Sequence, residues 1–352
     1  MKCSIVDLAI TAPTGTEGEA LEASLVTARQ AAVLGFHRIW FAEHHLTRGV
    51  ASHHPEILMS AVAALTTGIR IGSGGVLVNH YSPLKIAEMF KQMEALFPGR
   101  IDLGMGRATS GPLIDAALNR EPPSRRVDDY EQRLLETLAW LHAAFPDTHP
   151  FAPYRILPSV HSLPETWLLG SSLPSARIAA GLGIGYTFAG FLNPTLAARS
   201  LRSYRKRFRS AGFGSQTPRT MLSVNVSVGE DAADGRRLVS SVKGLYARVG
   251  RGDSTALVPP PEVANREMSS SQREEPTSIV DGRWPRFVAG NPDQVRATLG
   301  RMIEECNADE IIFQDMIVDA ADRRASHARL AEMFDLTPRS LTDDLNPAHR
   351  VL

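Results

Sequence analysis

Residues 69–104, IRIGSGGVLVNHYSPLKIAEMFKQMEALFPGRIDLG, decide the fold. The stretch opens with an apolar run over 69–78 and closes with a second over 101–104, and both are typical of buried strands. Between them, residues 82–97 carry apolar side chains at helical spacing, with a proline near the first turn and a proline–glycine stop. The stretch therefore predicts a strand–helix–strand unit.

The same alternation continues along the whole chain. Strand-like runs lie at 4–10, 38–42, 69–78, 101–104, 166–169, 185–189, 221–228 and 310–317. Helical patterns lie at 16–34, 55–65, 82–97, 125–144, 174–182, 194–211, 292–306 and 322–334. Eight such units predict an α/β fold, a (β/α)8 TIM barrel. A doubly wound open sheet is the alternative, and it would need fewer strands or an obvious crossover.

One segment interrupts this pattern. Residues 250–285 include three consecutive prolines at 259–261 and then a polar run, so we expect a long irregular insertion before the seventh helix. It either covers the mouth of the barrel as a lid or forms a surface loop. We expect residues 1–340 to form a single barrel domain and 341–352 a C-terminal tail.

Composition excludes several classes of protein. The 352 residues include 38 basic and 38 acidic side chains and are 43% hydrophobic, which suits an enzyme with a large core and gives no sign of a nucleic-acid or membrane partner. Asp7 interrupts the first apolar stretch, so we expect no signal peptide and a cytoplasmic protein. Cys3 and Cys306 offer no metal spacing, and we interpret both as buried hydrophobes.

The second strand ends in a cluster of ionisable residues, FAEHH at 41–45. Alternation along a strand sends His44 and His45 to opposite sides, so one imidazole can face a pocket while the other braces it. Glu43 can orient a histidine if the local backbone allows it. This arrangement suits proton transfer better than a metal clamp.

Glycine recurs at the carboxyl ends of three strands, where a barrel places its chemistry. The third strand ends in Gly74 and Gly75, the fourth includes Gly106, and the fifth ends in Gly170. Glycine weakens a strand, so its repetition here predicts close approach of a flat ring cofactor. Tight barrel packing is the alternative explanation.

The fifth strand runs into Ser171 and Ser172 and then into a helix near Pro174. Backbone amides and hydroxyls at a helix N-terminus favour a phosphate, with Ser172 and Ser175 as donors and Arg107 as a cation across the mouth. Plain helix capping by serine explains the same residues. The helix start at 291–292 is a competing phosphate site.

Several ordered motifs carry a resemblance. The chain resembles the bacterial luciferase-like flavin monooxygenases at 39–45 (IWFAEHH), at 69–89, at 98–107 (PGRIDLGMGR) and at 167–172 (WLLGSS). The pattern covers nearly the whole barrel, whereas residues 250–285 match nothing. The resemblance implies a TIM barrel of the luciferase-like type that binds reduced FMN in its mouth and activates oxygen as a flavin hydroperoxide. We expect a homodimer.

The resemblance also assigns roles residue by residue. His44 matches the catalytic histidine of the family and His45 its neighbour. Gly74 and Gly75 match the end of the third strand, where a sometimes cis peptide supports the flavin ring. Gly106 stands where bacterial luciferase has a reactive cysteine. The matches lining the phosphate are Arg107, Ser172 and Ser175, while Ser171 occupies a position that is acidic in luciferase.

The chain lacks a dinucleotide-binding glycine fingerprint, so we expect a separate NAD(P)H-dependent flavin reductase to supply reduced FMN.

Three other functions stay open. A deazaflavin-dependent hydride-transfer oxidoreductase is the first alternative, because relatives of this barrel adopt that chemistry. A metal-dependent hydrolase using His44, His45, His53 and His54 is the second, although we expect no metal site. A flavin-binding protein without catalytic activity is the third.

Overall fold

Eight parallel strands close into a barrel in a computed structural model of the chain. The model describes residues 1–107, 111–119, 128–253 and 256–340, so the predicted tail at 341–352 lies outside the described residues. The described residues contain ten strands, of which all but β4 and β9 form the ring: β1 (Lys2–Asp7), β2 (Arg38–Phe41), β3 (Arg70–Ser73), β4 (Val76–Leu77), β5 (Ile101–Gly106), β6 (Glu165–Gly170), β7 (Gly185–Ala189), β8 (Thr220–Val228), β9 (Phe287–Gly290) and β10 (Glu310–Gln314).

The strands alternate with helices that surround the barrel. Those of the described residues are α1 (Glu17–Val33), α2 (Pro55–Leu65), α3 (Pro83–Leu96), α4 (Pro112–Asn119), α5 (Tyr130–His142), α6 (Leu173–Leu182), α7 (Ala197–Arg207), α8 (Ala232–Gly250), α9 (Pro261–Glu267), α10 (Ser270–Arg273), α11 (Pro292–Cys306) and α12 (Ala320–Met333). Among them, no helix combines the length and the apolar character needed to span a bilayer.

The pairing of β10 closes the ring. It lies parallel to β1 on one side and to the first half of β8 on the other. The two short strands are additions to this ring, because β4 pairs with β5 and β9 pairs with the second half of β8. The predicted (β/α)8 barrel is confirmed, and a closed ring excludes the open doubly wound sheet.

The insertion follows β8 and contains more regular structure than the sequence predicts. Helices α8, α9 and α10 and strand β9 lie between β8 and α11, which is the seventh helix of the barrel repeat. The expectation that residues 250–285 are irregular is wrong in part, because α9 and α10 lie within them. Pro261 is the first residue of α9. At that position the backbone N–H has no partner within the helix, so proline, which lacks it, is tolerated. The segment also reaches the loop after β2, since a Cβ on Gly49 would lie 2.9 Å from the Ala256 carbonyl oxygen.

A buried ion network fills the amino end of the barrel. The Arg38 guanidinium lies 2.7 Å from Glu310 Oε1 through Nε and 2.6 Å from Asp102 Oδ2 through Nη1. Arg70 neutralises the other oxygen of Asp102 at 2.6 Å. Buried charges persist only when they are paired and hydrogen-bonded. Glu310 Oε1 and both oxygens of Asp102 meet this condition. The network closes this end to water.

Two tryptophans form the next layer. Trp40 and Trp167 meet edge to face with ring centroids 5.9 Å apart. Glycines on neighbouring strands make room for them, since a Cβ on Gly72 would lie 2.5 Å from Trp40 Nε1 and one on Gly185 would lie 2.4 Å from the Trp167 ring. With this end filled, the barrel can accept a ligand only at the carboxyl ends of its strands.

His37, which directly precedes Arg38 of the buried ion network, predicts a pH dependence of stability. Burial lowers the pKa of His37 to about 4, with Arg38 and Lys2 lowering it further and Glu310 and Asp102 opposing. Between about pH 6.5 and pH 4 the unfolded chain binds a proton that the folded chain does not, so the free energy of unfolding falls as the pH falls through this window. His37→Gln should flatten that fall.

Urea unfolding midpoints from pH 7.5 to 4.5 measure the effect. His161→Gln, which removes an exposed imidazole, is the matched control and should keep the wild-type slope. Equal slopes for His37→Gln and the wild type would contradict the assignment.

Candidate functional site

The Glu43 carboxylate joins the carboxyl ends of β2 and β4. Its Oε1 accepts a hydrogen bond from the Tyr81 hydroxyl at 2.9 Å and lies 2.7 Å from His45 Nε2. Its Oε2 accepts from the Leu77 amide at 2.9 Å. The carboxylate is almost fully buried, and these contacts satisfy both oxygens. Glu43 therefore braces His45, and through Leu77 it fixes the segment that follows the third-strand glycines.

His44 lies apart from this brace. The alternation that places Trp40 and Ala42 in the interior cluster continues to His44, which is half-buried at the mouth. Burial, assisted by His45 and His53, lowers the pKa of His44 to about 4. The imidazole is therefore neutral at pH 7, and its buried Nδ1 has no hydrogen-bond partner among the described residues. A neutral imidazole can accept a proton from a bound molecule.

A possible metal cluster here differs from the one that the sequence suggests. Donor atoms of Glu43, His45 and His80 lie within 4.8 Å of one another. Each already has a protein partner, since Glu43 binds His45 and His80 Nε2 lies 3.0 Å from Asp115 Oδ1. The buried His80 Nδ1, however, has no hydrogen-bond partner among the described residues.

The four histidines of the hydrolase alternative do not converge on one point. His53 Nδ1 lies 2.7 Å from the His44 carbonyl oxygen, and the half-exposed His54 ring lies 3.5 Å from Glu56. Their nitrogens serve local contacts, so the geometry gives no support to a site built from all four.

The glycines at the ends of the predicted third and fourth strands differ in how closely the surrounding atoms pack against them. The Gly74–Gly75 peptide is cis. A Cβ on Gly75 would lie 2.8 Å from the Gly104 carbonyl oxygen, so packing alone requires that glycine. A Cβ on Gly106 would meet nothing closer than 3.9 Å. Side chains of the described residues therefore do not crowd Gly106.

Ser172 and Ser175 begin α6. The Ser172 hydroxyl accepts from the Ser175 amide at 3.4 Å, which is the helix-capping arrangement that the sequence left open. The Ser175 hydroxyl lies 2.8 Å from the Ser172 carbonyl oxygen and 2.9 Å from the Tyr186 hydroxyl. Gly170 packs against it, because a Cβ there would lie 2.2 Å from Ser175 Oγ. The carbonyl of Ser171 accepts a bond from the Asn193 side chain.

At the N-terminus of α11, the competing phosphate site, side chains of the helix itself accept hydrogen bonds from the backbone amides. Asn291 Oδ1 accepts from the Gln294 amide at 2.9 Å, and Gln294 Oε1 accepts from the Asn291 amide at 3.1 Å. This capping box satisfies two of the free donors, so α6 is the more open of the two helix starts.

Arg107 follows β5 at the surface. Its guanidinium lies 2.5 Å from Asp128 and stacks over the Tyr130 ring at 5.3 Å. No contact with Ser172 or Ser175 is recorded among the described residues. Tyr130 is buried beneath the Arg107 guanidinium. Burial raises its pKa, Arg107 lowers it, and the neighbouring Tyr186 phenol, which bonds Ser175, raises it.

Three tyrosines at this end of the barrel were missed by sequence reasoning. Tyr81 bonds Glu43, Tyr130 lies under Arg107, and Tyr186 bonds Ser175. Each lies in a region that the sequence assigned to a helix, a strand or the segment joining them, so an aromatic residue there was expected in the core. Each tyrosine differs from an ordinary core aromatic because it contacts a polar residue that is distant in sequence, and only the folded structure shows that contact.

Comparison with known proteins identifies the family. A family model described as luciferase-like monooxygenase matches residues 1–309. The chain belongs to the luciferase-like monooxygenase family. A luciferase-like monooxygenase of Escherichia coli strain K12 is 33% identical over 316 residues, which cover 90% of this chain and 92% of the relative. The resemblance predicted from the sequence motifs is therefore confirmed, and the protein is an oxidoreductase of the monooxygenase class.

Solved structures share the barrel. Apo-MsnO8 is 38% identical with a TM-score of 0.86, and the match covers 96% of this luciferase-like chain and 99% of that one. The oxygenating constituent of 3,6-diketocamphane monooxygenase from Pseudomonas putida, in complex with FMN, is 18% identical with a TM-score of 0.68 over 99% of both chains. At that identity the second match establishes the fold alone.

Proposed function

We propose that this luciferase-like monooxygenase uses reduced FMN and O2 to oxygenate a small organic substrate in the mouth of the barrel. The observation that carries the proposal is His44, a neutral imidazole at the mouth whose buried Nδ1 has no hydrogen-bond partner in the described part of the chain. Because buried polar atoms are normally paired, an unpaired nitrogen at a strand end indicates a group that pairs with a bound molecule.

The residues at the mouth fit a flavin. Among the described residues, a Cβ on Gly106 would meet nothing closer than 3.9 Å, so no side chain crowds this strand end, and the Gly74–Gly75 peptide lies on the neighbouring strand end. Arg107, Ser171, Ser172 and Ser175, with Gly170 behind them, would hold the phosphate. Bound reduced FMN would supply two electrons to O2, so that one oxygen atom enters the substrate and the other leaves as water.

The protein has three tasks in this reaction. His44 Nδ1 accepts a proton from the substrate or from a bound water, which its low pKa permits at neutral pH. Glu43 and Tyr81 hold the adjoining backbone in place, and His45 is positioned by Glu43. The tryptophan layer closes the barrel interior on the side away from the mouth, so water can reach the site only from the mouth.

Reduced FMN is proposed to come from a separate NAD(P)H-dependent reductase, and the protein to act as a homodimer. The chain has no glycine fingerprint for a dinucleotide, which supports the first part. Mixing the protein, oxidised FMN and NADPH without a reductase should leave the flavin spectrum unchanged. Rapid bleaching would contradict the two-component arrangement.

Incorporation of ¹⁸O tests the function as a whole. The protein, a flavin reductase, NADPH and FMN are incubated under ¹⁸O2 with a panel of aldehydes, ketones and aromatic compounds, and products are analysed by mass spectrometry. We expect one ¹⁸O atom in a product. Oxidation of an alcohol without label, dependent on a deazaflavin coenzyme, would instead support hydride transfer.

Arg107→Ala should weaken FMN binding about tenfold to a hundredfold, because it removes a charge-assisted phosphate contact of roughly 1.5 to 3 kcal/mol. Fluorescence titration at one ionic strength measures the affinity. Arg107 now pairs with Asp128 at the surface, so it must exchange that partner for the phosphate. Asp128→Asn should therefore leave FMN affinity equal or raise it. Ser172→Ala should matter less, because the backbone amides remain.

Two controls make this test specific. Riboflavin lacks the phosphate and should bind wild type and Arg107→Ala alike. Arg296→Ala, which removes an exposed arginine of α11, should bind FMN as the wild type does. Unchanged FMN affinity in Arg107→Ala would sink the phosphate assignment.

A further inference from the structure

Strand β8 presents a stripe of polar side chains to the interior of the barrel. Met221 packs with the interior tryptophans, whereas Leu222 packs in the layer between the strands and the outer helices. Since side chains alternate along a strand, Ser223, Asn225 and Ser227 face the interior with Met221. All three are buried.

The Asn225 carboxamide has no hydrogen-bond partner among the described residues. Its side chain is 0% exposed, and neither Oδ1 nor Nδ2 makes a hydrogen bond. The Ser227 hydroxyl, two residues nearer the mouth, is unpaired as well. Burying both ends of an amide without partners is costly, so a residue in this state is expected to pair with something that binds.

The surroundings of Asn225 suit a ligand. In the sheet it lies level with Gln314 of β10 on one side and with Phe287 of β9 on the other. The indole N–H of Trp167, in the interior cluster that also holds Met221 and Phe287, is unpaired among the described residues as well. Apolar walls with a few convergent polar groups are typical of small-molecule sites.

The chemistry of a carboxamide limits what can satisfy it. It offers a donor at Nδ2 and an acceptor at Oδ1, side by side. A hydrocarbon would satisfy neither, and an aldehyde or ester would satisfy only the donor. A molecular edge that carries an acceptor beside a donor, as an amide or imide does, satisfies both.

We propose that Asn225 binds the amide or imide edge of a molecule held in the barrel. This inference rests on the proposed function, because the edge belongs either to the imide of the flavin ring or to an amide group of the substrate. Either source makes Asn225 a binding residue, with Ser227 beside it. The two sources differ in whether flavin affinity or substrate preference depends on the side chain.

The stability of the ligand-free protein is the first test. Asn225→Leu replaces an unpaired buried amide with an apolar group of similar size, so the melting temperature should rise. Asn225→Ala serves if leucine prevents folding, and there the melting temperature should fall no further than for Ser223→Ala. A large drop in melting temperature for both variants would overturn the proposal, because it would mean that an internal water or a protein group already satisfies the amide.

Flavin affinity is the second test. If the flavin supplies the edge, Asn225→Leu should weaken FMN and riboflavin alike, by roughly tenfold or more. That pattern differs from Arg107→Ala, which should weaken FMN alone. Ser200→Ala is the matched control, because it removes another buried, unpaired polar group that lies on α7 outside the barrel interior. It should leave both affinities unchanged.

Substrate preference decides the remaining case. If flavin affinity is unchanged in Asn225→Leu, substrates of the ¹⁸O assay that carry an amide group are compared with their ester analogues. The ratio of kcat/KM for amide over ester should then fall roughly tenfold in the variant. If neither flavin affinity nor this ratio changes, the proposal is wrong.

The proposed function can fail separately. Wild type that binds neither FMN nor riboflavin would contradict the flavin assignment. Uracil, a soluble imide without phosphate, then tests Asn225 alone: it should raise the melting temperature of the wild type and not that of Asn225→Leu. Equal shifts in the two proteins would overturn the inference.

Discussion

His44→Ala should lower substrate oxygenation by about 100-fold to 10,000-fold, the range expected for a lost general acid or base. FMN affinity should change little, because the proposed flavin contacts lie on other strands. Reduced flavin should still react with oxygen, so hydrogen peroxide should rise as product falls. The measurement is the yield of product and of peroxide per NADPH consumed, with a reductase supplied.

A packing role for His44 predicts a different outcome. Loss of its ring would then lower the melting temperature and the flavin affinity together. His54→Ala is the control, since it removes a half-exposed histidine from the same loop and should keep wild-type coupling. If His44→Ala also keeps wild-type coupling with a cognate substrate, His44 is not the proton carrier.

Arg38→Met should destabilise the fold by about 3 to 5 kcal/mol, the usual cost of removing one partner from a buried ion pair. The change leaves Glu310 and one oxygen of Asp102 without their cation, and both carboxylates are buried. Methionine has a similar length and fits the same space, so the loss reflects charge more than volume. Equilibrium urea unfolding at pH 7 measures it.

A surface arginine provides the comparison. Arg237→Met removes a partly exposed guanidinium that contacts Asp234 and Asp322 at 2.8 Å each, and it should cost about 1 kcal/mol or less. Similar losses for the two variants would contradict the assignment of a stabilising role to the buried network.

The sequence predicts the barrel because the barrel is built from local signals. All eight strands of the closed ring lie where apolar runs predict them, and proline and glycine stops mark the ends of helices such as α3. Helix α8 and strand β9 were missed. Glycines at 235 and 244 weaken the helical pattern of α8, and β9 is a run of four residues. Their stability comes from packing on β8, which sequence periodicity does not reveal.

The candidate site was predicted less completely than the fold. The cluster at 43–45 is contiguous, so its residues could be found together. The structure adds that Glu43 braces His45, while His44 Nδ1 has no hydrogen-bond partner among the residues that the structure describes. Arg107 was expected across the mouth from the serines, yet its partners among the described residues are Asp128 and Tyr130. Those partners depend on how the chain returns after α4. Asn225 was not singled out, because an isolated asparagine in a strand becomes informative only when its partners are known.

Anaerobic titration with reduced FMN tests the central claim most directly. The claim is that the mouth of this barrel, between His44 and the α6 helix start, binds reduced FMN. The account predicts saturable binding with one FMN per chain, weaker in Arg107→Ala, and tighter than that of the deazaflavin coenzyme measured in the same way. An absence of saturable FMN binding, or tighter binding of the deazaflavin, would contradict it.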